Sequence, residues 1–231
     1  MIGSENQTIY KLYDKQVYDD PIILDTDWTK YGIQKRFSKL TLDNLLITEG
    51  NSVAIKTAKD YVSNLEENLD LGLGLIFKGD IGVGKTSIAI TIMKEVIKKK
   101  YSAYFVPMAS LMRELFNSNS TFIQDKLVKT NLLVLDDLGM EYKGNKSESW
   151  ILHTFDDLID ARHSRQLSTI ITTNLPSNSI KDDSGRIIIE GLRDRYTART
   201  IDRLNSVSLV INIKGKSLRT SEWMKERSKN V

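Results

Sequence analysis

The stretch Leu75-Ile76-Phe77-Lys78-Gly79-Asp80-Ile81-Gly82-Val83-Gly84-Lys85-Thr86 constrains this chain more than any other. An apolar run that suits a buried strand meets a glycine-rich loop, and the loop enters an amphipathic segment beginning near Thr86. Gly79, Gly84, Lys85 and Thr86 fill the pattern G-x-x-x-x-G-K-[ST] of a Walker A loop. The glycines let the backbone curl so that successive N–H groups converge on a phosphate. The positive end of the following helix adds to the same anion site. Lys85 carries the charge to neutralise β- and γ-phosphates, and the Thr86 hydroxyl suits Mg²⁺. Asp80, Ile81, Gly82, Val83 and Ser87 complete the set of residues expected around the phosphates. The alternative is an ordinary glycine turn between strand and helix. The full pattern in a strand–loop–helix context favours a nucleoside triphosphate site instead.

Leu132-Leu133-Val134-Leu135-Asp136-Asp137 joins four apolar residues to two carboxylates. A buried strand would deliver Asp136 to the carboxyl edge of a sheet, where ligand crevices lie. This is a Walker B pattern. Asp136 is expected to hold Mg²⁺, usually through water, because that ion dehydrates reluctantly. Asp137 is expected to polarise the attacking water. Acids often follow strands, and the pattern gains its weight from lying about fifty residues after the Walker A loop. Thr169-Ile170-Ile171-Thr172-Thr173-Asn174 reads as another buried strand, and Asn174 either orients water near the γ-phosphate or starts the turn before Pro176. Arg193, Arg195, Arg199 and Arg203 lie in a helix expected over Glu190–Leu204, and the last three share one face by their i, i+4, i+8 spacing. A solvated helix can tolerate three like charges; a neighbouring subunit's triphosphate would explain them. Arg219, after the last strand, is a further candidate for a γ-phosphate contact.

The rest of the chain alternates strand and helix. A helix is expected from Asn51 and Ser52 to about Asn68, with Val53, Ala54, Ala58, Tyr61, Val62 and Leu65 on its apolar side. Strands are expected at Leu73–Lys78, Tyr101–Val106, Leu132–Leu135, Ser168–Thr173 and Val207–Ile213. Helices are expected at Thr86–Lys100, Ala109–Phe116, Phe122–Lys129 and Ser149–Arg162. Strands alternating with helices imply a parallel sheet covered on both faces. A length of 231 residues suits one such domain with short appendages. The absence of cysteine excludes disulfides and thiolate metal sites. His153 and His163, the only histidines, read as solvated helix residues. Net charge is only +3, but the stretch from Lys214 concentrates Lys216, Arg219, Lys225, Arg227 and Lys229 against Glu222 and Glu226, as a solvated tail or a nucleic-acid contact. In residues 1–35, Tyr10, Tyr13, Tyr18 and Trp28 are scattered among acids, as a partner-docking arm or an extension packed on its own domain. Neither an apolar run of membrane-spanning length nor a signal-peptide pattern is found, so a cytosolic protein is expected.

With these motifs in hand the chain resembles the AAA+ ATPases of the DnaC/DnaI helicase-loader and IstB transposition-helper family. The resemblance spans about residues 37–220 and rests on Gly79–Thr86, Leu132–Gly139, Ser168–Asn174, Ile201-Asp202-Arg203-Leu204 and Lys214-Gly215-Lys216-Ser217-Leu218-Arg219, in the family's order. It implies a three-layer α/β domain with a central parallel sheet and helices on both faces. It places Walker A at Gly79, Gly84, Lys85 and Thr86, Walker B at Asp136 and Asp137, sensor 1 at Asn174, the arginine finger at Arg203 with Arg199 beside it, and the sensor 2 arginine at Arg219. It also implies that Met108–Lys129 and the segment after the Walker B strand grip single-stranded DNA. Arg113, Phe116, Lys143, Lys146 and Trp150 are the residues there with suitable chemistry, cations for phosphates and aromatics for stacking.

Two departures from the family pattern stand out. The second Walker B acid is Asp137, where many AAA+ proteins have glutamate, so hydrolysis is expected to be slow or assisted by Glu141. A short arm precedes Phe37 where cellular loaders carry a folded, sometimes zinc-binding, helicase-docking domain, which suggests a phage or mobile-element version. The expected organisation is an arm over 1–35, an AAA+ domain over 36–220 and a basic tail over 221–231. The expected function is an Mg²⁺-dependent ATPase that loads a replicative DNA helicase onto single-stranded DNA, self-associating head-to-tail through Arg203. The alternative is an IstB-like helper that acts on duplex DNA with a transposase. A metabolic P-loop kinase is disfavoured by the motif order and the arginine-rich helix.

Overall fold

Five strands are apolar at successive as well as alternate positions over much of their length, the signature of strands covered on two faces. In a computed structural model, which describes residues 27–111, 126–139 and 148–219, they form one parallel sheet. The strands are β1 (Gly74–Gly79), β2 (Ala103–Pro107), β3 (Leu132–Leu138), β4 (Ser168–Thr173) and, after a small antiparallel hairpin of β5 (Ile180–Lys181) and β6 (Ile187–Ile189), β7 (Ser208–Ile213). Their order across the sheet is β2-β3-β4-β1-β7. The helices are α1 (Ser52–Ser63), α2 (Leu65–Asp70), α3 (Lys85–Lys98), α4 (Glu148–Ser164), α5 (Leu192–Arg195) and α6 (Ala198–Ser206).

Strand alternation splits the core in two. Leu75, Phe77, Leu132, Val134 and Ile170 face α1 and α3, meeting Ala54, Ala58, Ile88, Ile92 and Val96. Their neighbours Ile76, Leu133, Leu135 and Ile171 face the other way, toward Phe155, Leu158, Ile159 and Leu204 of α4 and α6. The sheet is therefore the middle of three layers, as the family resemblance implies. Trp28, Tyr31 and Ile33 pack into the first of these cores, so this part of the 1–35 segment lies on its own domain. Residues 1–26, with Tyr10, Tyr13 and Tyr18, lie outside the described residues, as do 220–231.

Several expectations need correction. The helix over Asn51–Asn68 is two helices that break at Asn64, whose Nδ2 donates to the Asp60 carbonyl. Its buried stripe takes Ile55 rather than Val53, which is 68% exposed. Asn51 does not cap α1; it accepts from the Thr48 N–H (2.7 Å) and donates to the Leu46 carbonyl (2.9 Å), fastening the preceding turn. The helix over Glu190–Leu204 is also two, because Tyr196 turns extended to bury its ring against Phe155, 5.0 Å between centroids. Thr197 then caps α6, accepting from the Thr200 N–H at 3.1 Å. That break removes Arg195 from the face shared by Arg199 and Arg203, and Arg195 pairs with Glu190 at 3.1 Å. The helices expected at Ala109–Phe116 and Phe122–Lys129 are seen only as helical residues 108–111 and 126–129, the rest lying outside the described part.

Candidate active site

The carboxyl ends of β3, β4 and β1 are neighbours in the sheet, so Asp136 and Asp137, Asn174 and the loop after Gly79 converge at one edge. At this edge β1 hands over to α3 through Asp80–Gly84. Gly84, in the left-handed region at φ 100°, immediately precedes Lys85, the first residue of α3. A side chain at Gly79 would place its Cβ 1.7 Å from the Ile213 carbonyl oxygen of β7, so the loop can leave the sheet there only as glycine. Lys85 is 5% exposed, and its ammonium donates to the carbonyls of Gly79 (2.9 Å) and Asp80 (2.6 Å) and to Asn174 Oδ1 (2.7 Å). Burial pushes this ammonium below the ordinary lysine range, against the pull of Asp137, Asp80 and Asp136.

Asp136 is buried, and its Oδ1 accepts from Thr86 Oγ1 (2.8 Å) and Thr172 Oγ1 (2.7 Å). Burial raises its pKa, opposed mainly by the Thr172 hydrogen bond. Thr172 in turn accepts from the Asp137 N–H at 2.9 Å. Asp137 is one of the few non-glycine residues with positive φ, 56°, and it lies where the β3–β4 register shifts between Leu135 and Leu138. Thr172 therefore holds both acids, one through its carboxylate and the other through its backbone. Sequence reasoning placed Thr172 at a strand end without a role. The signal lay in the register: Leu135 opposes Ile171, which sets the next residue of β4 beside Asp136.

A cleft of about 520 Å³ opens over this edge. Ile81, Gly82, Gly84, Lys85, Thr86, Ser87, Asp137, Asn174 and Arg219 line its polar part. Phe37, Leu40, Leu45, Leu46 and Ile55 give it an apolar part. Gly79 and Asp80 turn their carbonyls to Lys85 instead, and Val83 is buried beneath the loop. The segment carrying Arg219 is tied to the loop by the Leu218 N–H, which donates to the Gly82 carbonyl at 2.9 Å. Arg203 is not in this cleft. It bonds Asp160 of α4, which Arg199 also approaches at 3.7 Å. Trp150, on α4, is 36% exposed, whereas Arg113, Phe116, Lys143, Lys146 and Glu141 lie outside the described residues.

Chemically, the cleft fits a nucleoside triphosphate. A buried cation and the end of a 14-residue helix face one part, and an apolar wall suited to a base faces the other. Among the described residues no cluster of three acidic or histidine side chains could hold a metal by itself. The hydroxyl–carboxylate pair of Thr86 and Asp136 suits Mg²⁺, which is held by one or two protein oxygens together with phosphates and water. No helix of the described residues is long and apolar enough to cross a membrane.

Residues 38–227 match the family described as IstB-like ATP binding protein. The replicative helicase loader DnaC of Buchnera aphidicola (subspecies Baizongia pistaciae) is 27% identical over 170 residues, 70% of this chain and 66% of that protein. An insertion-sequence IS5376 ATP-binding protein of Geobacillus stearothermophilus is 27% identical over 158 residues, 67% of this chain and 58% of that one. The chain thus spans just under two thirds, or less, of the length of these relatives. Among solved structures, that of the DnaC helicase loader superposes with a TM-score of 0.63 at 26% identity, over 78% of this chain and 100% of that one.

Proposed function

The chain belongs to the IstB-like ATP-binding family, and from that premise we propose that it is a cytoplasmic Mg²⁺-dependent ATPase that loads a replicative helicase onto single-stranded DNA. The observation that carries the ATPase reading is the gathering of Lys85, Thr86, Asp136, Asp137, Asn174 and Arg219 around one cleft edge from four separate stretches of the chain. In this reading the loop N–H groups and Lys85 bind the triphosphate, and Thr86 with Asp136 holds the ion. The ion, when bound, neutralises charge on the phosphates. Asp137 orients the attacking water, and Asn174 keeps Lys85 aimed between phosphate and acid. Arg219, on the segment tied to the loop through Leu218, would supply a further cation for the γ-phosphate. Resemblance to the DnaC loader in both sequence and fold supports the choice of partner.

Arg203 lies outside its own cleft, on α6 packed against α4, where it pairs with Asp160. We assign it to a neighbouring subunit's triphosphate, in a head-to-tail assembly of the kind that makes rings or open helices. The insertion-sequence relative keeps a second reading in play, a transposase helper on duplex DNA. The two are separated by capture of a replicative helicase together with tighter binding of single-stranded than duplex DNA. Filaments on duplex DNA with transposase capture would replace the loader reading.

A further inference from the structure

Helix α3 begins at the phosphate end of the cleft with Lys85, and nine residues later it carries a second buried lysine. Lys94 is 3% exposed. Its ammonium donates to three backbone carbonyls, those of Phe37 (2.7 Å), Ser38 (2.6 Å) and Leu40 (2.9 Å), and sits 4.8 Å from the centre of the Trp28 ring. An ammonium has three N–H donors, so these contacts use all of them. Its direct partners are carbonyls and a ring face rather than a carboxylate, and the pull of Glu95 is a smaller effect than burial and the push of Lys98. Burial accordingly pushes the Lys94 pKa down to about 8. The same stretch, Arg36 to Leu40, forms a wall of the cleft, with the Arg36 guanidinium carbon 4.6 Å from the Phe37 ring centre. Lys94 does not line the cleft, but its three carbonyl acceptors belong to the stretch that does.

We propose that Lys94 is a positioning residue for the base of the bound nucleotide, fixing the Phe37–Leu40 turn against α3 so that the apolar wall is in place before the nucleotide arrives. This rests on reading the cleft as a nucleoside triphosphate site. The helix then sets both ends of the ligand at a spacing of about 14 Å along its axis, phosphates at its first residue and base wall at its tenth. Apart from Arg36 and Asn51, whose amide is held by Thr48 and Leu46, the side chains of this wall are apolar, so the base is held mainly by stacking and enclosure.

The test compares ATP with inorganic triphosphate, which has no base, by calorimetric titration of the full chain and its Lys94→Met variant. ATP should weaken by at least about fivefold, the low end of one base–aromatic stack, and triphosphate should be unchanged. Equal weakening of both probes, or of neither, overturns the assignment. A second measurement uses the wild-type chain and is independent of how the variant folds. Lysine methylation read by mass spectrometry should show Lys94 more protected with ATP than with triphosphate, and equal protection overturns the proposal. A wild-type chain that binds neither probe overturns the nucleotide reading, and the role of Lys94 with it.

Discussion

Replacing Thr172 by valine should disturb both acids of the site through the loss of one hydroxyl. Valine keeps the volume and the β-branched shape that β4 favours, so only the hydroxyl is lost. That hydroxyl is fully buried, donates to Asp136 at 2.7 Å and accepts from the Asp137 N–H at 2.9 Å. Two consequences follow. The Asp136 carboxylate, already disfavoured by burial, keeps only Thr86 of its two hydroxyl donors, and a hydrogen bond to a charged group is worth about 1.5–3 kcal/mol. The Asp137 N–H loses its acceptor at a half-buried residue of φ 56°, which costs about 1 kcal/mol, the low end for an orphaned donor. Allowing for relaxation, Thr172→Val should destabilise the fold by about 2–4 kcal/mol, which for a chain of this size lowers Tm by roughly 4–16 °C. Thr172→Ser keeps the hydroxyl and loses one methyl, worth about 0.8 kcal/mol. Thermal melts followed by circular dichroism compare the three proteins, and ATP turnover is measured alongside. If the valine variant melts with wild type, or the serine variant falls as far as valine, Thr172 does not hold the acids in the way described.

Lys85→Ala should abolish ATP binding in equilibrium titration, whereas Asp137→Asn should bind ATP and fail to turn it over; unchanged affinity in the lysine variant would reject the Walker A assignment. Arg203→Ala should bind ATP normally and hydrolyse it poorly, because an arginine supplied in trans is worth roughly 10³–10⁵ in rate. Mixing it with Lys85→Ala should restore part of the turnover, and wild-type rates for Arg203→Ala at every protein concentration would refute the shared site. Trp150→Ala should weaken single-stranded DNA binding by about 1–3 kcal/mol if the ring stacks on a base, in a filter-binding assay where affinity also falls with salt. Arg162→Met should lower stability in urea by about 2–4 kcal/mol. It would orphan four buried acceptors, the Leu127, Thr130 and Ser168 carbonyls and Thr169 Oγ1, now bonded at 2.6–3.0 Å.

Local pattern was enough for the phosphate loop, the two acids and the parallel sheet, because each is written in consecutive residues. Gly79–Thr86 carries its own backbone geometry, and the apolar runs of β1, β3 and β4 announce burial on two faces. Asn174 and Arg219 were legible through motif order, and both meet Lys85 or its cleft. Tertiary structure decided what depends on neighbours distant in sequence. Thr172 holds Asp136 because register sets β4 beside β3, thirty-six residues away. Arg195 parts from Arg199 and Arg203 because burying the Tyr196 ring outweighs the continuation of one helix. Lys94 reads in sequence as one more cation on a helix, and only the turn at Phe37–Leu40, folded back across fifty-seven residues, gives its ammonium three carbonyls and a ring to meet. A motif can encode a loop that makes its own contacts. It cannot encode a hydrogen bond whose acceptor is brought by another element.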